Sequence, residues 1–168
     1  HLWSDTYTRT LEGSIFSIQD DVASRILTEL LNRMITVDSS CDCCKTDNLK
    51  AFNLYAEGRY HWNLRWESEI EKGIECFKGA LKEDPAFSLA YSGLIDSWTL
   101  LISVGHTKRE ILLPQCWDAL HKAEELGDTS AELYTSHGAI LKLEGKNEEA
   151  IEHFITAIEQ NPNYATAH

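Results

Sequence analysis

Basic residues are scarce in this chain: 15 lysines and arginines stand against 27 aspartates and glutamates, a formal net charge of −12. A chain so short of cations lacks the electrostatic footprint that grips phosphates, which argues against direct nucleic-acid or anionic-membrane binding. Long apolar runs are missing as well. The densest stretches, "LLISV" and "ILLP", fall short of the roughly 18 residues that a membrane span requires. No asparagine opens an N-x-S/T acceptor, and no secretory leader is visible, so a cytoplasmic setting is expected. There is no glycine loop of the phosphate-cradling kind, no HExxH and no G-x-S-x-G. Without these, no catalytic residues and no cofactor are expected. Methionine is missing from the first position, and the chain closes on "NYATAH". A piece of a longer protein is therefore expected.

Proline is rare too, at three residues, and this scarcity gives each one weight. The chain is 43% hydrophobic and 25% charged, as a folded, helix-rich protein would be. Within it one spacing recurs. Ala150, Phe154, Ala157 and Pro162 stand at offsets of four, seven and twelve from the first member. Cys116, Leu120, Ala123 and Asp128 repeat those offsets, and so do Gly73, Phe77, Ala80 and Pro85. Offsets of four and seven keep side chains on one helix face. Small residues there let a neighbouring helix approach, the large one fills the gap, and proline ends the unit.

These residues resemble the tetratricopeptide repeat, an antiparallel helix pair of roughly 34 residues. The best copy carries Tyr134, Gly138, Gly145, Ala150, Phe154, Ala157 and Pro162 at the family's spacing. The resemblance implies an all-α helix-hairpin solenoid over 49–168, with units at 49–85, 86–128 and 129–162 and the start of a fourth at 163–168. The second unit departs from the pattern, with Cys116 for a small residue, Asp128 for the proline and Ile95 for the glycine. Extra residues in the first two units fall in "NLRWES" and "SVGHTKREILLP", where lengthened loops are expected.

Residues 1–48 do not fit the repeat. Ile15, Ile18, Val22, Ile26, Leu30 and Met34 recur every three or four positions, predicting an amphipathic helix over about 14–35. The preceding "HLWSDTYTRT" alternates like a strand remnant. Leu2, Trp3, Ser4, Tyr7, Arg9, Ile15, Phe16, Ile18, Gln19, Asp20, Val22 and Ala23 resemble the tail of a TolB-like segment that leads into tetratricopeptide repeats in bacterial regulators. Such proteins usually carry a winged-helix transcriptional or an adenylate/guanylate cyclase domain, which the resemblance implies for a parent chain.

The linker 36–48 holds Cys41, Cys43 and Cys44. Zinc wants four ligands, usually from two separated pairs, and no second pair follows. A metal site completed by another group, a redox-active pair and a plain reduced linker all remain open. "SHG" at 136–138 sets Ser and His side by side, but adjacent helical residues point apart. His137 therefore reads as a packing residue.

In the resembled family the first helix of each unit lines a groove for an extended peptide or partner helix. That pattern puts Phe52, Tyr55, Arg59, Trp62 and Asn63 in the groove from the first unit. Leu89, Ser92, Asp96 and Thr99 follow from the second, and Glu132, Thr135, Ala139 and Lys142 from the third. The two-lysine, two-asparagine clamp for a peptide carboxylate is not evident at these positions. The expected function is a non-catalytic scaffold that binds a protein or peptide partner, or other domains of the parent. Self-association, including a homodimer, and small-ligand sensing are the alternatives.

Overall fold

The computed structural model describes residues 46–167, which form six α-helices and a closing 3-10 turn. The N-terminal helix, the strand remnant and Cys41, Cys43 and Cys44 lie outside the described residues. The helices are α1 (Leu49–Leu64), α2 (Glu67–Glu83), α3 (Ser88–Ser103), α4 (Arg109–Glu125), α5 (Ala131–Glu144) and α6 (Asn147–Gln160), followed by Ala165–Ala167. They pair as α1 with α2, α3 with α4 and α5 with α6, and α3 also packs on α1, α2 and α5.

Side-chain caps start two of the helices. Asn48 caps α1, its side chain accepting from the Lys50 and Ala51 amides at 3.0 and 3.2 Å. Its side-chain Nδ2 donates to the Glu83 carbonyl at 2.9 Å, fastening the start of α1 to the end of α2. Ser130 caps α5 through the Leu133 amide at 3.2 Å. At the far end of α5, Gly145 takes the left-handed conformation (φ 81°) that glycine adopts without steric cost.

The spacing ladder becomes close packing. A Cβ on Gly58 would lie 2.7 Å from the Phe77 ring, one on Gly93 2.6 Å from the same ring, and one on Gly138 2.6 Å from Phe154. Phe77 is therefore seated against glycines of α1 and α3 at once. The second unit reaches the same density by exchange: Ile95 stands where the glycine would be, Leu120 replaces the phenylalanine, and both are fully buried. Flanked by neighbours on several sides, α3 buries residues around most of its circumference, as an enclosed helix must.

Two expectations change in detail. The additional residues of the first two units mostly lengthen helices instead of loops. Helices α1 and α2 have 16 and 17 residues and α3 and α4 the same, against 14 in both α5 and α6. Only the turn from α3 to α4, residues 104–108, is longer than its counterparts. Amphipathic sequence beside an existing helix pair gains more by packing another turn than by staying in solvent.

The second change concerns Asp128, which does not replace a proline as the helix stop. Gly127 (φ 80°) provides the stop, and the Asp128 carboxylate accepts from the Ser130 amide at 2.7 Å and from the Ser88 hydroxyl. Asp84 and Asn161, each just before a proline, make the same turn bond to Ala86 and Asn163, both at 3.0 Å. Asp128 is thus the counterpart of Asp84 and Asn161, moved one place along.

Candidate binding groove

The first helices of the three pairs face a common groove of about 490 Å3. Trp62, Asp96, Thr99, Thr135, Ala139 and Lys142, all among the positions that the resembled family's pattern gives, line it. Arg65, Leu100, Ser103, Leu143, Phe154 and Thr166 line it as well. Three of these were legible by extending each helix face: Leu100 and Ser103 follow Asp96 by four and seven, and Leu143 follows Ala139 by four, whereas Arg65 lies just past the end of α1. Phe154 comes from α6, beside Gly138, where no Cβ blocks its ring.

The remaining predicted residues lie elsewhere. Phe52 and Leu89 are 1% and 2% exposed and belong to the core. Tyr55 is buried against Phe77 and Phe87, with ring centroids 5.8 and 5.2 Å apart. Ser92 is buried and its hydroxyl has no partner among the described residues. Asn63 is exposed and outside the groove. Glu132 is half-buried, and burial raises its carboxyl above the ordinary range.

Arg59 lies behind the lining and shapes it. Its Nη1 donates to Asp96 Oδ2 at 3.0 Å, while Asp96 Oδ1 accepts from the Ser136 hydroxyl at 2.8 Å. One carboxylate thus joins α1, α3 and α5. Burial pushes the Asp96 carboxyl upward, and Arg59 and Ser136 pull the other way by favouring its charged form. Burial also works against the charge on Arg59, but Tyr55, Asp96 and Tyr164 outweigh it and hold the guanidinium protonated.

Trp62 is stacked on two cations. The Arg59 Cζ is 4.4 Å from its ring centroid and the Arg65 Cζ 3.5 Å, both within cation–π range. Its indole N–H is buried without a partner among the described residues. Asp96 neutralises Arg59, whereas Arg65 and Lys142 are exposed and make no ion pair among the described residues. A protein with an acid excess thus presents two uncompensated cations at this groove. Thr99 and Thr135 hydroxyls donate to backbone carbonyls at 3.2 and 2.8 Å, which leaves their methyl groups and oxygen lone pairs for a guest.

Neither a family model nor a curated protein sequence matches the chain. Among solved structures it is similar to the NMR structure of the first TPR domain of the human RPAP3 protein, with a TM-score of 0.55 and 18% identity. The match covers 70% of this chain and 84% of that one. The fold is a tetratricopeptide-repeat solenoid. No helix among the described residues is long and apolar enough to cross a membrane. At the closing 3-10 turn, Tyr164 and Ala167 pack with Ala131 and Ala157.

Proposed function

We propose that the repeat array, 49–168, captures an extended, acidic segment of a protein partner in the groove between α1, α3 and α5. The observation that carries this is the Trp62 plate with Arg65 across its face and Lys142 on the same groove. A carboxylate near Arg65 and Lys142 gains charge-assisted hydrogen bonds. The groove supplies apolar contact through Leu100, Leu143 and Phe154, which offsets the ordering entropy that an extended peptide loses on binding.

The N-terminal segment, 1–48, supports a finer reading. Its similarity to the tail of a TolB-like region fits a module within a bacterial signalling or transcription-regulating protein, with a winged-helix or cyclase domain as the effector. Partner capture would then bias that effector, which requires two states of different partner affinity.

Selection from a displayed library of random peptides against the purified chain tests the binding reading. Acidic sequences should be enriched, and Lys142→Glu should weaken a selected peptide at least about tenfold, the equivalent of one lost charge-assisted bond. The helical circular-dichroism signal should not change. Enrichment without acidic bias, or binding indifferent to Lys142→Glu, overturns the reading.

A further inference from the structure

Opposite in role to Trp62, its neighbour His61 turns away from the groove and toward α2. Its Nδ1 lies 2.7 Å from Glu69 Oε2, where a carboxylate accepting an Nδ1–H leaves Nε2 as the ring atom that can bind a metal. That Nε2 is 3.9 Å from Glu57 Oε1, one helical turn earlier on α1. Across the helix pair stands Cys76 of α2. One ligand atom each from Glu57, His61 and Cys76 lie within 4.8 Å of one another.

We propose that Glu57, His61 and Cys76 form a binding site for a borderline-soft divalent cation of the Zn(II) class, with Glu69 positioning the histidine. One nitrogen, one sulfur and one carboxylate oxygen, with water in a fourth place, are a standard tetrahedral set for this ion. Bonds of about 2.0–2.3 Å place such ligands about 3.3–3.8 Å apart. The cluster therefore closes by roughly an ångström on binding, which the exposed Glu57 side chain can supply by rotating. The Glu69–His61 pair is the outer-shell arrangement that orients metal-ligating imidazoles and raises their basicity.

Backbone geometry prepares the site. Gly73, one turn before Cys76, brings α2 so near α1 that a Cβ there would lie 3.1 Å from the Gly58 carbonyl oxygen and 3.6 Å from His61 Cβ. A bulkier residue would hold the sulfur away from the imidazole. The local charge suits a cation as well. Burial, Glu57 and Glu75 all raise the Cys76 thiol above its ordinary value, and a bound dication reverses that balance. Binding releases the thiol proton to solvent and leaves the thiolate on the metal, so affinity should rise with pH. The site joins the first two helices and lies apart from the groove lining.

Cobalt(II) titration of the whole, reduced chain tests the proposal, because tetrahedral thiolate coordination gives visible d–d bands and a near-ultraviolet sulfur charge-transfer band. Replacing Cys41, Cys43 and Cys44 together by serine should leave that band. Cys76→Ser should remove it from the triple-serine chain while the helical signal is retained. Glu69→Gln should weaken Zn(II), measured by competition with a chromophoric chelator, by roughly ten- to hundredfold. No charge-transfer band, a band lost with the three linker cysteines, or a band that survives Cys76→Ser in the triple-serine chain would each overturn the site.

Discussion

Asp96 holds Arg59 at 3.0 Å across two helices, with 7% of the aspartate side chain and 24% of the arginine side chain exposed. Pairs this enclosed matter more when broken than when present, because the surviving partner loses both water and counter-charge. Asp96→Ala should therefore destabilise the array by about 2–3 kcal/mol, below the roughly 3–5 kcal/mol of a fully buried pair because Arg59 keeps some solvent. Asp96→Asn keeps one acceptor oxygen for Arg59 and can donate its NH2 to the Ser136 oxygen, so it should cost less. Urea unfolding midpoints distinguish the two; equal, small losses would refute the bridging role.

Packing at the glycines makes a second prediction. Gly138→Ala puts a methyl 2.6 Å from the Phe154 ring, and overpacking of this kind costs about 1–3 kcal/mol. The second unit already shows a remedy in Ile95 with Leu120. Phe154→Leu should therefore offset part of the Gly138→Ala loss, and the double mutant should be more stable than the sum of the singles allows. Strict additivity in thermal unfolding would contradict this.

Acid should weaken the third unit through His137. Burial first, then His153 and His121, lower this imidazole from 6.5 to about 4. The His153 ring stacks 3.9 Å away and Trp117 lies edge-on at 5.5 Å. Glu124 at 3.8 Å opposes the shift, since it favours the charged ring. The fold holds the neutral form, so its contribution is complete above pH 6.5 and is lost as pH falls toward about 4. At most about 3 kcal/mol is at stake. His137→Gln should flatten that limb of the stability profile, and an unchanged slope would show that another group governs it.

Arg65 offers a fourth test. Among the described residues it is the single non-glycine with positive φ, at 62°. An L-residue pays about 1 kcal/mol there. Arg65→Gly should therefore stabilise the fold slightly while removing the cation over Trp62. A higher Tm together with weaker capture of acidic peptides is the expected pair of results; tighter capture would argue against Arg65 as a contact.

The helix pairs were legible because small and large residues must alternate where helices touch, and Gly138, Phe154 and Ala157 can do little else. Groove positions were legible in part. Periodicity gives a direction around the helix but not its depth, so Phe52 and Leu89 shared a face with Trp62 and Asp96 yet lie in the core. Arg65 was missed because it sits past the last regular turn, where helical spacing stops applying. The role of Asp128 was hidden for a similar reason: fixed offsets cannot register Gly127 taking over the stop while the acid keeps the turn. His61 follows Gly58 by three residues, and that spacing alone puts it on the packing side of α1. Its partners Glu69 and Cys76 come from another helix, which spacing within α1 does not reveal.

Joining three successive lining helices through a single carboxylate has a mechanical consequence. Repeat arrays are usually elastic along their length, each unit flexing against the next with little effect further on. Here a strain that spreads α1 from α3 pulls on the same atoms that hold α5 through Ser136. Pulled from its ends, this stretch should extend as one stiff spring and yield in a single step, where Asp96→Ala would let it give way hairpin by hairpin.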